Sequence, residues 1–215
     1  MLQKLLISFL FAASFSTGNA QDSLSVPRWN IKVNGLGLLN ISKVTLMVSA
    51  EHRLTNRFAI DFTAGRVFES PGYIYHEGET YQGWRLRAGG KRYIGTLSNY
   101  GLYWGLEAKY NHIDNRNWEQ VLRQGGQYQE TLLINRSFRT WGGAVRFGSL
   151  LFTGHKRRFF LEPAVGLGIL HHKVQFSLPP GSELQDAVNP FVFRLGQGIT
   201  VVPDIYFSMH LGWAF

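Results

Sequence analysis

The chain has 215 residues with no cysteine, only 17% charged residues and a formal net charge of +8, alongside 24 glycines, 16 phenylalanines, 9 tyrosines and 6 tryptophans. Without cysteine there is neither a disulfide framework nor a thiolate metal site, and the length suits one domain. Many aromatics and glycines without a long apolar run argue against a helical bundle, and basic residues spread singly along the chain argue against nucleic acid as a partner.

The first element in chain order is a leader. Lys4 precedes an apolar stretch from Leu5 to Phe15, followed by Ser16, Thr17, Gly18, Asn19 and Ala20. This is the layout of a secretory signal peptide over 1–20, with the mature domain over 21–215. The apolar run falls short of the roughly 20 residues a spanning helix needs.

From Trp29 onward the signal is alternation with period two, the mark of strands with two chemically different faces. Trp29, Ile31 and Val33 oppose Asn30, Lys32 and Asn34 in a segment reaching Leu38. Val44, Leu46, Val48, Ala50 and Leu54, interrupted by His52, oppose Thr45, Met47, Ser49, Glu51 and Arg53. Phe58, Ile60, Phe62 and Ala64 oppose Ala59, Asp61, Thr63 and Gly65, and Trp84, Leu86 and Ala88 oppose Arg85, Arg87 and Gly89. Leu102, Trp104, Leu106, Ala108 and Tyr110 oppose Tyr103, Gly105, Glu107 and Lys109. Trp141, Val145 and Phe147 oppose Thr140, Gly142, Ala144 and Arg146, and Phe159 to Ile169 places Glu162, Gly166 and Gly168 on one side.

Connections alternate in length. A tight turn, Thr55 to Arg57, is followed by a polar loop after Phe68 containing Pro71, Gly72, Glu77 and Glu79. A short link, Thr96 to Asn99, is followed by a long one after Tyr110 through Asp114, Asn117, Gly125 and Gly126. Short turns at one end and long loops at the other suit an up-and-down barrel in an outer membrane. Leu39 to Lys43, at the loop end, is an exception. The strand count is eight or ten. Phe191 to Val201 reads as a further segment separated from the last strand by Val202, Pro203 and Asp204, and Gln129 to Leu150 is long enough for two strands. Eight is favoured, because ten would place the Pro179 to Pro190 segment at the short-turn end.

The last segment sets Ile205, Phe207, Met209, Leu211, Trp213 and Phe215 against Tyr206, Ser208, His210, Gly212 and Ala214. Its ending, Gly212-Trp213-Ala214-Phe215, together with Lys32 to Leu38, the strand carrying Glu51 and Arg53, and the strand from Phe58 to Ala64, resembles small OmpA/OmpX-like outer-membrane β-barrels of the Bacteroidetes type. His210 stands where the wider terminal signal usually has glycine. The resemblance implies an all-β, closed antiparallel transmembrane barrel of about eight strands with no enzyme activity. It makes Gly212, Trp213 and Phe215 an assembly signal, with outer-membrane lipids and the barrel-assembly machinery as partners of a monomer in the bacterial outer membrane.

In a barrel of eight strands the interior is filled by side chains. The expected lumen network is Lys32, Glu51, Arg53, Asp61, Arg85, Arg87, Lys91, Glu107, Lys109, Arg146 and Glu162, with Glu51, Glu107 and Glu162 each accepting from at least one Arg or Lys, because a buried unpaired charge is strongly unfavourable. Trp29, Tyr93, Trp104, Tyr110, Trp141, Trp213 and Phe215 are candidates for aromatic girdles at the membrane interfaces.

No catalytic, metal or cofactor motif emerges. Ser208 and His210 are the one close Ser/His pair on a shared strand face, and read better as lumen hydrogen-bonding groups than as a hydrolase dyad, which also needs an orienting third group. His171 and His172 point to opposite faces and cannot share a metal. Glu77-Gly78-Glu79 is too short for a calcium loop. His155 to Arg158 reads as a solvated basic turn. The expected role is structural or surface-interacting, with a lipid-active enzyme or narrow pore as the alternative and a soluble lipocalin-like binder behind both.

Overall fold

A computed structural model describes residues 28–38, 43–69, 76–94, 100–153, 158–184 and 198–215. The expected leader, residues 95–99 and 154–157, and residues 191–197 lie outside these. The strands are β1 (Trp29–Asn34), β2 (Lys43–Arg53), β3 (Phe58–Glu69), β4 (Thr80–Ile94), β5 (Tyr100–Arg123), β6 (Tyr128–Thr153), β7 (Phe159–Ser177), β8 (Ser182–Leu184) and β9 (Gly198–Ala214). A single helical turn, α1 (Gly35–Leu38), follows β1.

Consecutive strands pair antiparallel from β1 to β7, β9 pairs with β7, and β9 returns to β1. The result is a closed up-and-down barrel of eight strands. Closure removes the open edges of a flat sheet over the length the eight strands share, while the far end of β6, Tyr128 to Ile134, pairs among the described residues with β5 alone. A path through direct partners runs from Lys32 through Ser49, Thr63, Arg87, Lys109, Gly142 and Leu170 to Val202. With Asn34 opposite His210, that path returns to the line of β1 ten residues beyond its start. This stagger tilts the strands against the barrel axis, as closure requires.

The period-two pattern places apolar side chains outside and polar ones inside. Leu46, Val48, Ile60, Phe62, Leu102, Leu106, Phe147, Leu167, Ile205, Phe207 and Leu211 are exposed on the outer surface, whereas Lys32, Ser49, Glu51, Asp61, Lys91, Glu107, Arg146 and Glu162 are buried. A water-soluble domain has the reverse arrangement.

Several boundaries differ from the sequence-based expectation. The first strand stops at Asn34, where α1 begins, and Leu54 belongs to the turn after β2. In that turn Thr55 Oγ1 accepts hydrogen bonds from the Arg57 and Phe58 amides at 3.2 and 3.0 Å. The expected long loop after Tyr110 is strand instead: β5 continues to Arg123, and the connection shrinks to Gln124–Gln127, where Gln124, Gly125 and Gly126 have φ of 51°, 68° and 90°. Polar residues from Asn111 to Asn117 suggested a loop, but their ladder to β6 is unbroken from Tyr100↔Leu151 to Arg123↔Tyr128. The stretch from Gln129 to Leu150 lies within one strand, β6. The break at Val202 to Asp204 is also absent, since β9 runs through Pro203, which pairs with Ile169. The fixed φ of proline is compatible with extended backbone. The three-residue β8 had no expected counterpart and pairs with Val121 to Arg123.

Candidate functional site in the barrel lumen

The lumen is organised in layers. At the end with the short turns, Ala59, Tyr93, Tyr103, Leu150, Phe160, Ala164 and Ala214 form an apolar floor, with Phe152 packed against it. Tyr93 therefore points inward, correcting its expected place in an outer girdle. Its odd number puts it on the same face of β4 as Lys91.

Directly above the floor, four strands supply four charges. Lys32 Nζ bridges Glu51 Oε2 and Glu162 Oε2, each at 2.8 Å, while Lys91 Nζ bridges Glu51 Oε2 at 2.6 Å and Glu162 Oε1 at 2.5 Å. Each lysine touches both carboxylates and each carboxylate both lysines, so the four charges sum to zero. Neutral donors add to the set. Asn30 Nδ2 and the Tyr93 hydroxyl donate to Glu51 Oε1 at 2.9 and 2.6 Å, and the Tyr103 hydroxyl donates to Glu162 Oε1 at 2.5 Å. Desolvated charges are tolerated when geometry and hydrogen bonding are this complete.

A second cluster lies toward the loop end. Arg146 pairs with Asp61 at 2.7 Å and with Glu107 at 3.5 Å; Lys109 pairs with Glu107 at 3.1 Å and with Asp204 at 2.6 Å. The Tyr206 hydroxyl donates to Glu107, and the Lys109 ammonium sits 3.3 Å from the Tyr206 ring centroid, a cation–π contact. Glycines make room for these groups. A Cβ on Gly166 would lie 2.1 Å from the Tyr206 ring, and one on Gly212 would lie 2.2 Å from Phe160.

Of the expected network, Lys32, Glu51, Lys91 and Glu162 thus meet in one cluster, and Asp61, Glu107, Lys109 and Arg146 in the next. Arg53, Arg85 and Arg87 stand apart from direct pairing. Arg53 lies over the Tyr93 ring at 5.1 Å, its Nε 4.0 Å from Glu51 and its guanidinium nitrogens without hydrogen bonds. Arg87 lies over Tyr206 at 5.2 Å, and Arg85 has a buried Nε without a partner. Asp204, Tyr93, Tyr103, Tyr206 and Asn30 are members that sequence reasoning missed. The parity of Tyr93 with Lys91 and of Tyr206 with Ser208 was the available signal, whereas Asp204 was hidden by the apparent break at Pro203.

Gly212 faces the lumen, Trp213 packs edge-on to Phe159 at 4.1 Å, and Phe215 exchanges backbone hydrogen bonds with Trp29 at 2.9 and 3.1 Å. Ser208 and His210 are buried in the lumen, with Ser208 Oγ and His210 Nδ1 lacking hydrogen-bond partners. His172 shares a 2.9 Å hydrogen bond with Thr140, and His171 stacks on Trp141 on the opposite face. No group of three His, Cys, Asp or Glu among the described residues has the proximity to hold a metal ion.

Glu51 accepts four hydrogen bonds and Glu162 three, so neither a free base nor an open ligand position is left on Glu51. No helix among the described residues is long and apolar enough to cross a membrane, a property without bearing on strands. Comparison with protein-family models, with curated proteins and with solved structures finds no match.

Proposed function

We propose that this chain is an outer-membrane β-barrel with a side-chain-filled lumen, serving a structural role or presenting its loop end to partners. The observation that carries the reading is the inverted surface: a closed barrel whose outward residues are apolar along strand after strand while lysines and glutamates fill its interior. Transmembrane barrels alternate in this sense, with an outer apolar band about 25 Å tall. Nine to eleven tilted residues per strand suffice to cross the hydrocarbon core, and outward apolar positions from Phe159 to Ile169 on β7 and from Trp141 to Leu151 on β6 have that reach. Trp29, Trp104 and Trp213 on the outer face suit interfacial anchoring.

Carbonate washing of membranes from expressing cells tests the location: the protein is expected to stay in the pellet, and release into the supernatant overturns the reading. Planar-bilayer recording of the refolded protein tests the plug. The two charge clusters and the apolar floor lead to an expectation of no large steady conductance, and such a current would replace the structural role with that of a pore.

A further inference from the structure

Toward the loop end the outer face changes character. Arg66, Trp84, His112, Arg139 and Lys173 form one continuous row of direct partners across β3 to β7. Within it, Arg139 and Lys173 stand opposite each other on neighbouring strands, where side chains start only about 5 Å apart and like charges repel. Asp114 is an outward-facing carboxylate of β5, and it bonds His112 at 3.1 Å. Arg139 and Lys173 have no carboxylate partner among the described residues.

Immediately below lies a second row, Leu86, Tyr110, Trp141 and His171. Trp141 and His171 are stacked at 5.9 Å with their planes 7° apart, and Tyr110 contacts Trp84 at 5.0 Å. Below that, on the two strands that carry Arg139 and Lys173, the outer surface is apolar, with Val145, Phe147, Leu167 and Ile169 exposed, and on the neighbouring β2 to β5 small residues leave an apolar groove of about 820 Å³ over Ala88, Gly90 and Ala108, walled by Phe62 and Leu106. From the loop end downward the surface therefore passes from unneutralised cations to amphipathic aromatics to an apolar shelf. That is the order of charge, interface and acyl chain in an anionic lipid. A guanidinium binds phosphate with two parallel hydrogen bonds, and a facing ammonium adds a point charge.

We propose that Arg139 and Lys173, flanked by His112 and Trp141, form a binding site for the phosphate of a membrane lipid headgroup. An anion between the two cations relieves their mutual repulsion, and the aromatic row fixes the depth at which it sits. The inference rests on the membrane reading of the barrel.

The test uses the refolded full barrel in detergent micelles, titrated with lipid A bearing its two phosphates and with the same lipid stripped of them, bound lipid being counted by native mass spectrometry. The Arg139→Gln/Lys173→Gln variant is expected to bind the phosphorylated lipid about tenfold more weakly or worse, since each basic residue near a charged lipid surface contributes appreciably. Binding of the stripped lipid should not change. Arg139→Lys should retain part of the affinity. Equal binding by wild type and double variant overturns the proposal, and so does displacement of the lipid by millimolar inorganic phosphate, which would make this a free-anion site. Should the double variant fail to show the heat-dependent gel shift of a folded barrel, the two single variants carry the same comparison. Release on carbonate washing would sink the membrane reading itself, whereas a membrane-inserted barrel indifferent to both substitutions would sink only the site.

Discussion

Lys32 on β1 and Glu162 on β7 meet at 2.8 Å although 130 residues separate them in sequence. They meet because β9 lies between their strands, pairing Gly212 with Lys32 on one side and with Phe160 on the other. Gly212 has no side chain of its own, and the Phe160 ring occupies the space over it.

Removing one charge from the central cluster should be severe. Glu51→Gln leaves Lys32 and Lys91 sharing Glu162 alone in a site closed to solvent, and breaking a buried pair in this way costs about 3–5 kcal/mol. Urea unfolding in micelles, followed by tryptophan fluorescence, reads the loss. A midpoint equal to that of wild type would show that the cluster does not stabilise the fold.

Gly166 allows the Tyr206 ring to reach Glu107 and Lys109. Gly166→Ala puts a methyl where the ring lies, forcing Tyr206 aside, and overpacking of this kind costs about 1–3 kcal/mol. Combined with Tyr206→Ala, the same substitution should become nearly neutral relative to Tyr206→Ala alone. A cycle with no such coupling would contradict the contact.

The outer face can be tested by charge. Leu106, 47% exposed and midway along the outward apolar run of β5, should tolerate arginine poorly in lipid, where Leu106→Arg costs about 2–4 kcal/mol near the bilayer midplane. In water, an exposed substitution usually changes stability by no more than about 0.5 kcal/mol. Folding equilibria in phospholipid vesicles discriminate the two, and a negligible effect there would argue against lipid at that surface.

The absence of native cysteine makes the orientation measurable by single-cysteine labelling. Gln127→Cys in the β5–β6 turn should react with an impermeant maleimide on intact cells, and Asn56→Cys in the β2–β3 turn should react only after the envelope is opened. The opposite pattern would invert the barrel.

The fold was legible wherever each strand face had its own chemistry. Val44 to Arg53 and Ile205 to Phe215 declared their orientation because, Met47 and His52 aside, large apolar residues alternate with polar or small ones. Legibility failed where the alternation breaks: from Asn111 to Arg123 the few apolar residues, Ile113, Trp118, Val121 and Leu122, fall on both parities among polar ones, and a ladder to β6 holds a strand that looks like loop. The lumen carboxylates and cations could be placed on the inner face by parity alone. Which carboxylate meets which cation could not, because partners such as Lys91 and Glu162 are joined by the ten-residue stagger of the ring, a property of all the strands together. Tyr93 eluded the reading for another reason: an aromatic near a strand end fits a membrane girdle as well as it fits the lumen, where its hydroxyl serves Glu51.

The seam between β1 and β9 has a consequence for the order of events in folding. Until Gly198 to Ala214 is in place, β1 has a neighbour on one side only, and Lys32 faces Glu51 without the second carboxylate that completes its set. Hairpins from β2 to β7 can form from near neighbours in the chain, but the last pairing joins residues as far apart in sequence as Asn30 and Ala214, the kind of distant contact that is slow to find. An unfinished barrel thus exposes both an adhesive strand edge and a partly unneutralised interior, and the arrival of one strand cures both defects in a single step.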